Sequence, residues 1–181
     1  MFTTNLKNVP SCLDVKVSFY SSLKNVTSSS PIALSELLFK IRSGYWKSEI
    51  TRLQTLSGEE RKRYKRSLPL FTPSGLFAER KDEGLITHSG LIVIDFDNLK
   101  DIDSAWALLI ADKYTAFAFR SCGGNGLAVG VKIKGDAHRE SFAGLREYYS
   151  NQYNLEADSS CANPSRARFI SYDPNLFINE K

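Results

Sequence analysis

Asp95 and Asp97 stand two residues apart at the end of the run Leu91-Ile92-Val93-Ile94-Asp95-Phe96-Asp97. An apolar run without alternation reads as a strand covered on both faces. Side chains on a strand repeat every second residue, so the two carboxylates point the same way. Side by side at the end of a buried segment they repel each other and lose hydration. A divalent cation relieves both, because Mg²⁺ takes hard oxygen ligands and is held by one or two carboxylates together with substrate phosphates. The alternative is a strand that simply ends in solvated, turn-forming aspartates.

Three other segments carry candidate chemistry. In Ser121-Cys122-Gly123-Gly124-Asn125-Gly126, glycine and asparagine accept positive φ, and consecutive amides in such a turn can cradle an anion; the alternative is a generous hairpin loop. On the strand after it, Ala128, Gly130, Lys132 and Lys134 share one face and Val129, Val131 and Ile133 the other. The small residues leave room there, and Lys132 could reach a phosphate. Between Asp158 and Asp173, Asp158 offers a third carboxylate, and Arg166 and Arg168 would share a face suited to bidentate phosphate contact. A short helix from Gly58 to Arg66, opened by a Ser57/Glu60 capping box, carries Arg61, Lys62, Arg63, Lys65 and Arg66. That is either a solvated charged face or a contact to a phosphate backbone.

The elements that must position these groups follow from pattern. Val15 to Tyr20 reads as a strand and Lys24 to Ser30 as a loop. Ser30-Pro31 is expected to open a helix, with Leu34, Leu37, Leu38 and Ile41 on its apolar face and Gly44 at its end. Trp46, Ile50 and Leu53 form a second stripe. Leu68 to Ala78 reads as extended, as a strand or hairpin. After the diaspartate strand come a helix begun near Asp101 and Asp103, strands Thr115 to Phe119 and Leu127 to Ile133, a helix capped by Asp136, and a last strand from Arg168 to Tyr172. The order β-α-β-β-α-β suggests a split βαβ sheet of the ferredoxin or RNA-recognition-motif type. Residues 1–84 would cap it and 85–181 would form its core, as one compact unit.

Composition is ordinary for a globular chain of 181 residues, with 42% hydrophobic and 24% charged residues. The net charge of +4 is compatible with a polyanionic ligand. Cys12, Cys122 and Cys161 are an odd, scattered set that argues against a disulfide framework. With two histidines, His88 and His138, a structural zinc site is not expected. Met1 to Tyr20 has no basic-then-apolar signal region, and no apolar run is long enough to span a bilayer. A soluble, cytoplasmic protein with no membrane partner is expected.

Taken together, the motifs resemble the archaeo-eukaryotic primase superfamily, with its Asp-x-Asp strand, serine-and-glycine turn and further aspartate. The closer resemblance is to the BT4734-like, or virulence-associated protein E, N-terminal domain family of bacterial mobile elements. It rests on Ser67-Leu68-Pro69, Phe71 to Phe77, His88 to Asp97, Ser121 to Leu127 and Ser165 to Pro174, and extends from about Ile32 onward. It implies an α+β fold, a modified RNA-recognition-motif-like, primase-type antiparallel sheet packed with helices, plus a helical N-terminal segment. The function implied is nucleotidyl transfer, as the primase-like domain of a mobile-element replication protein acting with a helicase domain or protein. Two ions of Mg²⁺ or Mn²⁺, roughly 3.5–4 Å apart, would be held by Asp95, Asp97 and Asp158. Ser121, Gly123, Gly124, Asn125, Gly126, Lys132, Arg166 and Arg168 would bind a nucleoside triphosphate. Arg61, Lys62, Arg63, Lys65 and Arg66 would hold a single-stranded DNA or RNA template. Where the primases carry a histidine after the glycine turn, this chain has Ala128, which can neither donate a hydrogen bond nor carry charge. The alternative is therefore a catalytically inactive nucleic-acid-binding module of the same fold. A haloacid-dehalogenase-type phosphatase also places Asp-x-Asp after an apolar strand, but Asn98-Leu99 stands here where that family has Gly-Thr.

Overall fold

The computed structural model describes residues 13–27 and 30–180. Cys12, most of the chain start read for a signal region and the middle of the Lys24–Ser30 loop lie outside the described residues. Strand β1 (Lys16–Tyr20) pairs antiparallel with β2 (Ser30–Ala33), Val17 facing Ile32. Ser30-Pro31 thus extends an edge strand instead of opening a helix; a proline without its N–H is tolerated there. Helix α1 (Leu34–Ser43) starts after Ala33 and closes at Gly44, φ 85°, in the left-handed geometry that glycine adopts without penalty. Helix α2 (Lys47–Thr55) buries Ile50 and Leu53. Helix α3 (Gly58–Ser67) has no fully buried residue and packs on the core through the half-buried Tyr64, and Ser57, although at its N-cap, makes no side-chain capping bond. The expected Ser57/Glu60 capping box is therefore not formed.

Strands β3 (Leu70–Thr72) and β4 (Gly75–Phe77) follow each other but do not pair. Strand β3 joins β1, and β4 forms a two-stranded unit with β5 (Leu85–His88). After β6 (Leu91–Phe96) come α4 (Ile102–Ala111), β7 (Thr115–Arg120), β8 (Leu127–Lys132), α5 (His138–Tyr153), β9 (Arg168–Phe169) and β10 (Phe177–Ile178). Asp101 caps α4, accepting from the Ser104 amide at 3.0 Å. Asp136 does not cap α5: it sits in a 3₁₀ turn, Gly135–Ala137, that runs straight into the helix.

The architecture is α+β with antiparallel sheets, one ordered β2-β1-β3-β9 and one β10-β7-β8-β6. In the second, β8 lies antiparallel between β6 and β7, so β6-α4-β7 is a split βαβ unit. The expected fourth strand departs from the pattern. Only Arg168–Phe169 is extended, and it pairs with β3 instead of β6. The outer edge of β6 is covered by other means. The Val93 carbonyl accepts from the Arg168 guanidinium, and the Asp95 carbonyl accepts from the Asp158 amide at 2.9 Å. An uncovered edge would template pairing with another chain.

The two faces of β6 explain its unbroken apolar run. Ile92, Ile94 and Phe96 pack with Val129, Val131, Leu109 and Phe142 beneath α4 and α5. Leu91 and Val93 pack on the other face with Leu37, Leu38, Trp46, Phe71 and Phe117. That second cluster draws on both sides of residue 84 and makes the N-terminal segment a layer over the sheet. The room expected at Gly130 is filled. A Cβ there would lie 2.2 Å from the Phe117 ring, which is fully buried. Gly130→Ala is therefore expected to cost about 1–3 kcal/mol, and Phe117→Leu should add less in its presence than alone. Urea midpoints of the four-variant cycle would show strict additivity if this contact were not the cause.

Candidate functional site

The ends of β6, β7 and β8 form one wall of a groove of about 340 Å³; Lys65 of α3, Leu70 of β3 and the segment Ser165–Phe169 line the other. Asp95 and Asp97 both line it, as do Ser121, Gly123 and Asn125 of the glycine turn. Asp95 shares its face with Leu91 and Val93 and lies directly opposite Ala128 on β8. Asp97 follows the last strand residue and is exposed.

Asp95 is ion-paired with Arg168, whose side chain is only 5% exposed. Burial disfavours the Arg168 cation, and the carboxylate against it offsets that cost. The same guanidinium touches the Cys161 sulfur at 3.3 Å. Asp158 approaches from a 3₁₀ turn, Ser159–Ala162, at whose N-cap it stands. Burial would raise its carboxyl, but the Ser160 hydroxyl and amide at 2.6 and 2.9 Å and Arg166 at 3.1 Å outweigh it and hold it below the usual carboxylate range. Oxygens of Asp95 and Asp158 and the sulfur of Cys161 come within 4.8 Å of one another. Burial first, and then the Asp158 charge, push the Cys161 thiol up to about 12. The neutral sulfur is a poor partner for a hard cation, so carboxylate oxygens are the donors that fit Mg²⁺ or Mn²⁺. Such an ion would have to displace Arg168 from Asp95 and Arg166 from Asp158.

The glycine turn is held from below and from the side. Ser121 donates its amide to the Gly126 carbonyl at 2.8 Å, and Gly124 donates to the Ser121 carbonyl at 2.9 Å. A Cβ on Gly126 would lie 2.7 Å from an Asp97 oxygen and 2.9 Å from the Phe96 carbonyl, so only glycine fits where the turn crosses the aspartate. From the helical layer, Arg61 donates to the Gly123 carbonyl at 3.1 Å and Gln54 to the Cys122 carbonyl at 3.4 Å.

The groove brings together Asp95, Asp97, Ser121, Gly123, Asn125, Arg166, Arg168 and Lys65. Asp158 and Arg61 touch members of this set. Lys132 is not among them: it faces Leu91 at the far end of β8, four residues from Ala128 and about 13 Å along the strand. Lys62, Arg63 and Arg66 lie on the opposite side of α3. Sequence reading did not single out Cys161 for this site. Its signal was the three-residue spacing from Asp158, which stacks side chains in a 3₁₀ turn. His138 also lies close to the site. Its ring meets that of His88, Nδ1 to Nε2 at 2.9 Å, and it faces the Cys161 backbone behind the groove.

A family model described as BT4734-like, N-terminal domain, matches residues 63–177. The chain belongs to that family. The match begins at residue 63, later than the resemblance from about Ile32 seen in the sequence, and ends at the first residue of β10. No curated protein and no solved structure matches the chain. Every groove residue named above except Arg61 and Gln54 falls inside the BT4734-like match. Among the described residues no helix is long and apolar enough to cross a membrane.

Proposed function

We propose that this BT4734-like domain is a primase-like nucleotidyltransferase of a mobile-element replication protein, acting in the cytoplasm on a single-stranded DNA or RNA template and alongside a helicase. The observation that carries this reading is the groove itself, lined by the Asp95 and Asp97 carboxylates together with Arg166 and Lys65. Carboxylates and cationic groups in one groove suit a metal–triphosphate ligand, whose cation and phosphates need opposite partners. Bound Mg²⁺ or Mn²⁺ would supply Lewis-acid stabilisation of the attacking and leaving oxygens. Asp95, Asp97 and Asp158 would hold the ions. Arg166 and Lys65 would neutralise the departing pyrophosphate, and the turn from Ser121 to Gly126 would position the phosphates. The bond formed joins the primer hydroxyl oxygen to the α-phosphorus; the bond broken is that to the β-phosphate oxygen.

A second reading is a nucleic-acid-binding module of the same type without catalysis. It is favoured by Ala128, which faces Asp95 across the ladder where the resemblance leads one to look for a histidine. Incorporation of labelled nucleotide on a primed template with Mg²⁺ or Mn²⁺ separates the two. Activity in the wild type and at least a hundredfold loss in Asp97→Ala, an exposed position where folding is little affected, is the expected result. A wild type that shifts single-stranded DNA but incorporates nothing would sink the enzymatic reading.

A further inference from the structure

We propose that α3 carries a second phosphate-binding surface, distinct from the groove, that holds the backbone of single-stranded nucleic acid. At 100° per residue, Arg61 and Lys65 fall on one side of the helix and Lys62, Arg66 and Arg63 on the other. The inner pair is already committed: Arg61 donates to Gly123, and Lys65 lines the groove with its ammonium 5.4 Å from the centre of the Phe169 ring. The outer three line a separate cavity of about 510 Å³ with Lys24, Ser22, Ser67 and Glu59. The one carboxylate there, Glu59, is spent on Lys62 at 2.7 Å. Among the described residues, Lys24, Arg63 and Arg66 have no carboxylate partner. Like charges crowded on one helix are mutually destabilising, and a polyanion relieves them.

The choice of nucleic acid follows from how the two sites adjoin. Leu23 and Lys65 line the groove, while their neighbours Ser22, Lys24 and Arg66 line the outer cavity. The Leu23 amide donates to the Arg66 carbonyl at 3.1 Å, which fixes the two segments as a thin ridge between the sites. A strand leaving the groove crosses that ridge from Lys65 to Arg66 without a break in positive charge. The identity of the ligand rests on the nucleotide reading of the groove; the existence of the surface does not.

The test is fluorescence anisotropy with a labelled single-stranded oligonucleotide over a salt series, beside binding of a labelled nucleoside triphosphate with Mn²⁺. In a Lys62→Ala/Arg63→Ala/Arg66→Ala variant, oligonucleotide affinity should fall at least about tenfold and the salt slope should shrink by about 2, at roughly 0.7 per cation removed. Triphosphate binding should be unchanged. Lys65→Ala/Arg166→Ala should weaken triphosphate binding instead. The surface is overturned if the triple variant keeps wild-type affinity and slope, if the wild type binds no oligonucleotide, or if polyglutamate of equal charge competes as well as the oligonucleotide. If oligonucleotide binding depends on the triple set while no triphosphate binds, the surface stands and the reading of the groove falls.

Discussion

Asp95→Ala is expected to destabilise the fold by about 3–5 kcal/mol, because it strands a buried guanidinium. Arg168 has a side-chain exposure of 5% and Asp95 one of 15%, and they form a direct ion pair. Removing the acid leaves Arg168 with the Val93 carbonyl and the Cys161 sulfur, neither of which carries a balancing charge. Asp97→Ala, at an exposed position past the strand, should stay within about 0.5 kcal/mol of wild type. The two neighbouring substitutions are thus expected to share their effect on nucleotide incorporation and to differ in stability. Asp95→Leu combined with Arg168→Met should recover most of the lost stability, since an apolar pair of similar volume often replaces a buried ion pair without loss. Urea unfolding followed by circular dichroism reads all three. An Asp95→Ala variant as stable as Asp97→Ala would show that the pair is not the buried anchor described here.

Acidification from pH 7 toward pH 4 should weaken the fold through its paired histidines. Burial, and next the neighbouring His88, lower the His138 imidazole from 6.5 to about 4, with Arg139 pushing the same way and the Cys161 backbone and Asp82 opposing. His88 is lowered by burial as well. It accepts the Gly90 amide on Nδ1 at 2.9 Å, which leaves Nε2 to donate to His138. A base whose folded pKa lies below its unfolded value binds its proton more readily when unfolded. Its neutral form supports the fold fully above about 6.5, and that support drains away as pH falls toward 4. The expected loss is on the order of 2–3 kcal/mol between pH 7 and pH 4. Asp82 and Asp158 are held below 3.8, so their contributions disappear only at still lower pH. His138→Gln should therefore flatten the loss between pH 6.5 and 4. A urea midpoint that is level from pH 7 to 4.5 in the wild type, or a slope that survives in His138→Gln, would refute this.

The parts of the molecule that were legible in the sequence are those in which periodicity and burial agree. The unbroken Leu91–Ile94 run announced a strand covered on both faces, and Leu34, Leu37, Leu38 and Ile41 gave the buried stripe of α1. Pairing partners were not legible. Ser30-Pro31 has the local chemistry of a helix start, yet the ladder with β1 takes precedence. Arg168–Tyr172 reads as a full strand, but only Arg168 and Phe169 pair, and they pair with β3. Arg166 and Arg168, two residues apart and expected to share a face, hold separate carboxylates, Asp158 and Asp95; that division was not legible in their spacing. Nothing local could announce that Phe117 fills the space at Gly130, or that His88 meets His138 fifty residues on, since both depend on chain segments meeting in space.

The layer built from β1, β2, α1 and α2 has a bearing on where this protein can be cut. Residues 13–62 precede the stretch that identifies the family, yet Val17, Leu37, Ile41, Trp46 and Leu53 fill the same cluster as Phe71, Phe117 and Ile170. Gln54 and Arg61 brace the turn that borders the groove. A polypeptide begun at residue 63 would bare one side of β3 and leave those aromatic rings facing water. The portion recognisable by likeness is thus shorter than the portion that must fold together, and domain exchange within the family should be made upstream of β1.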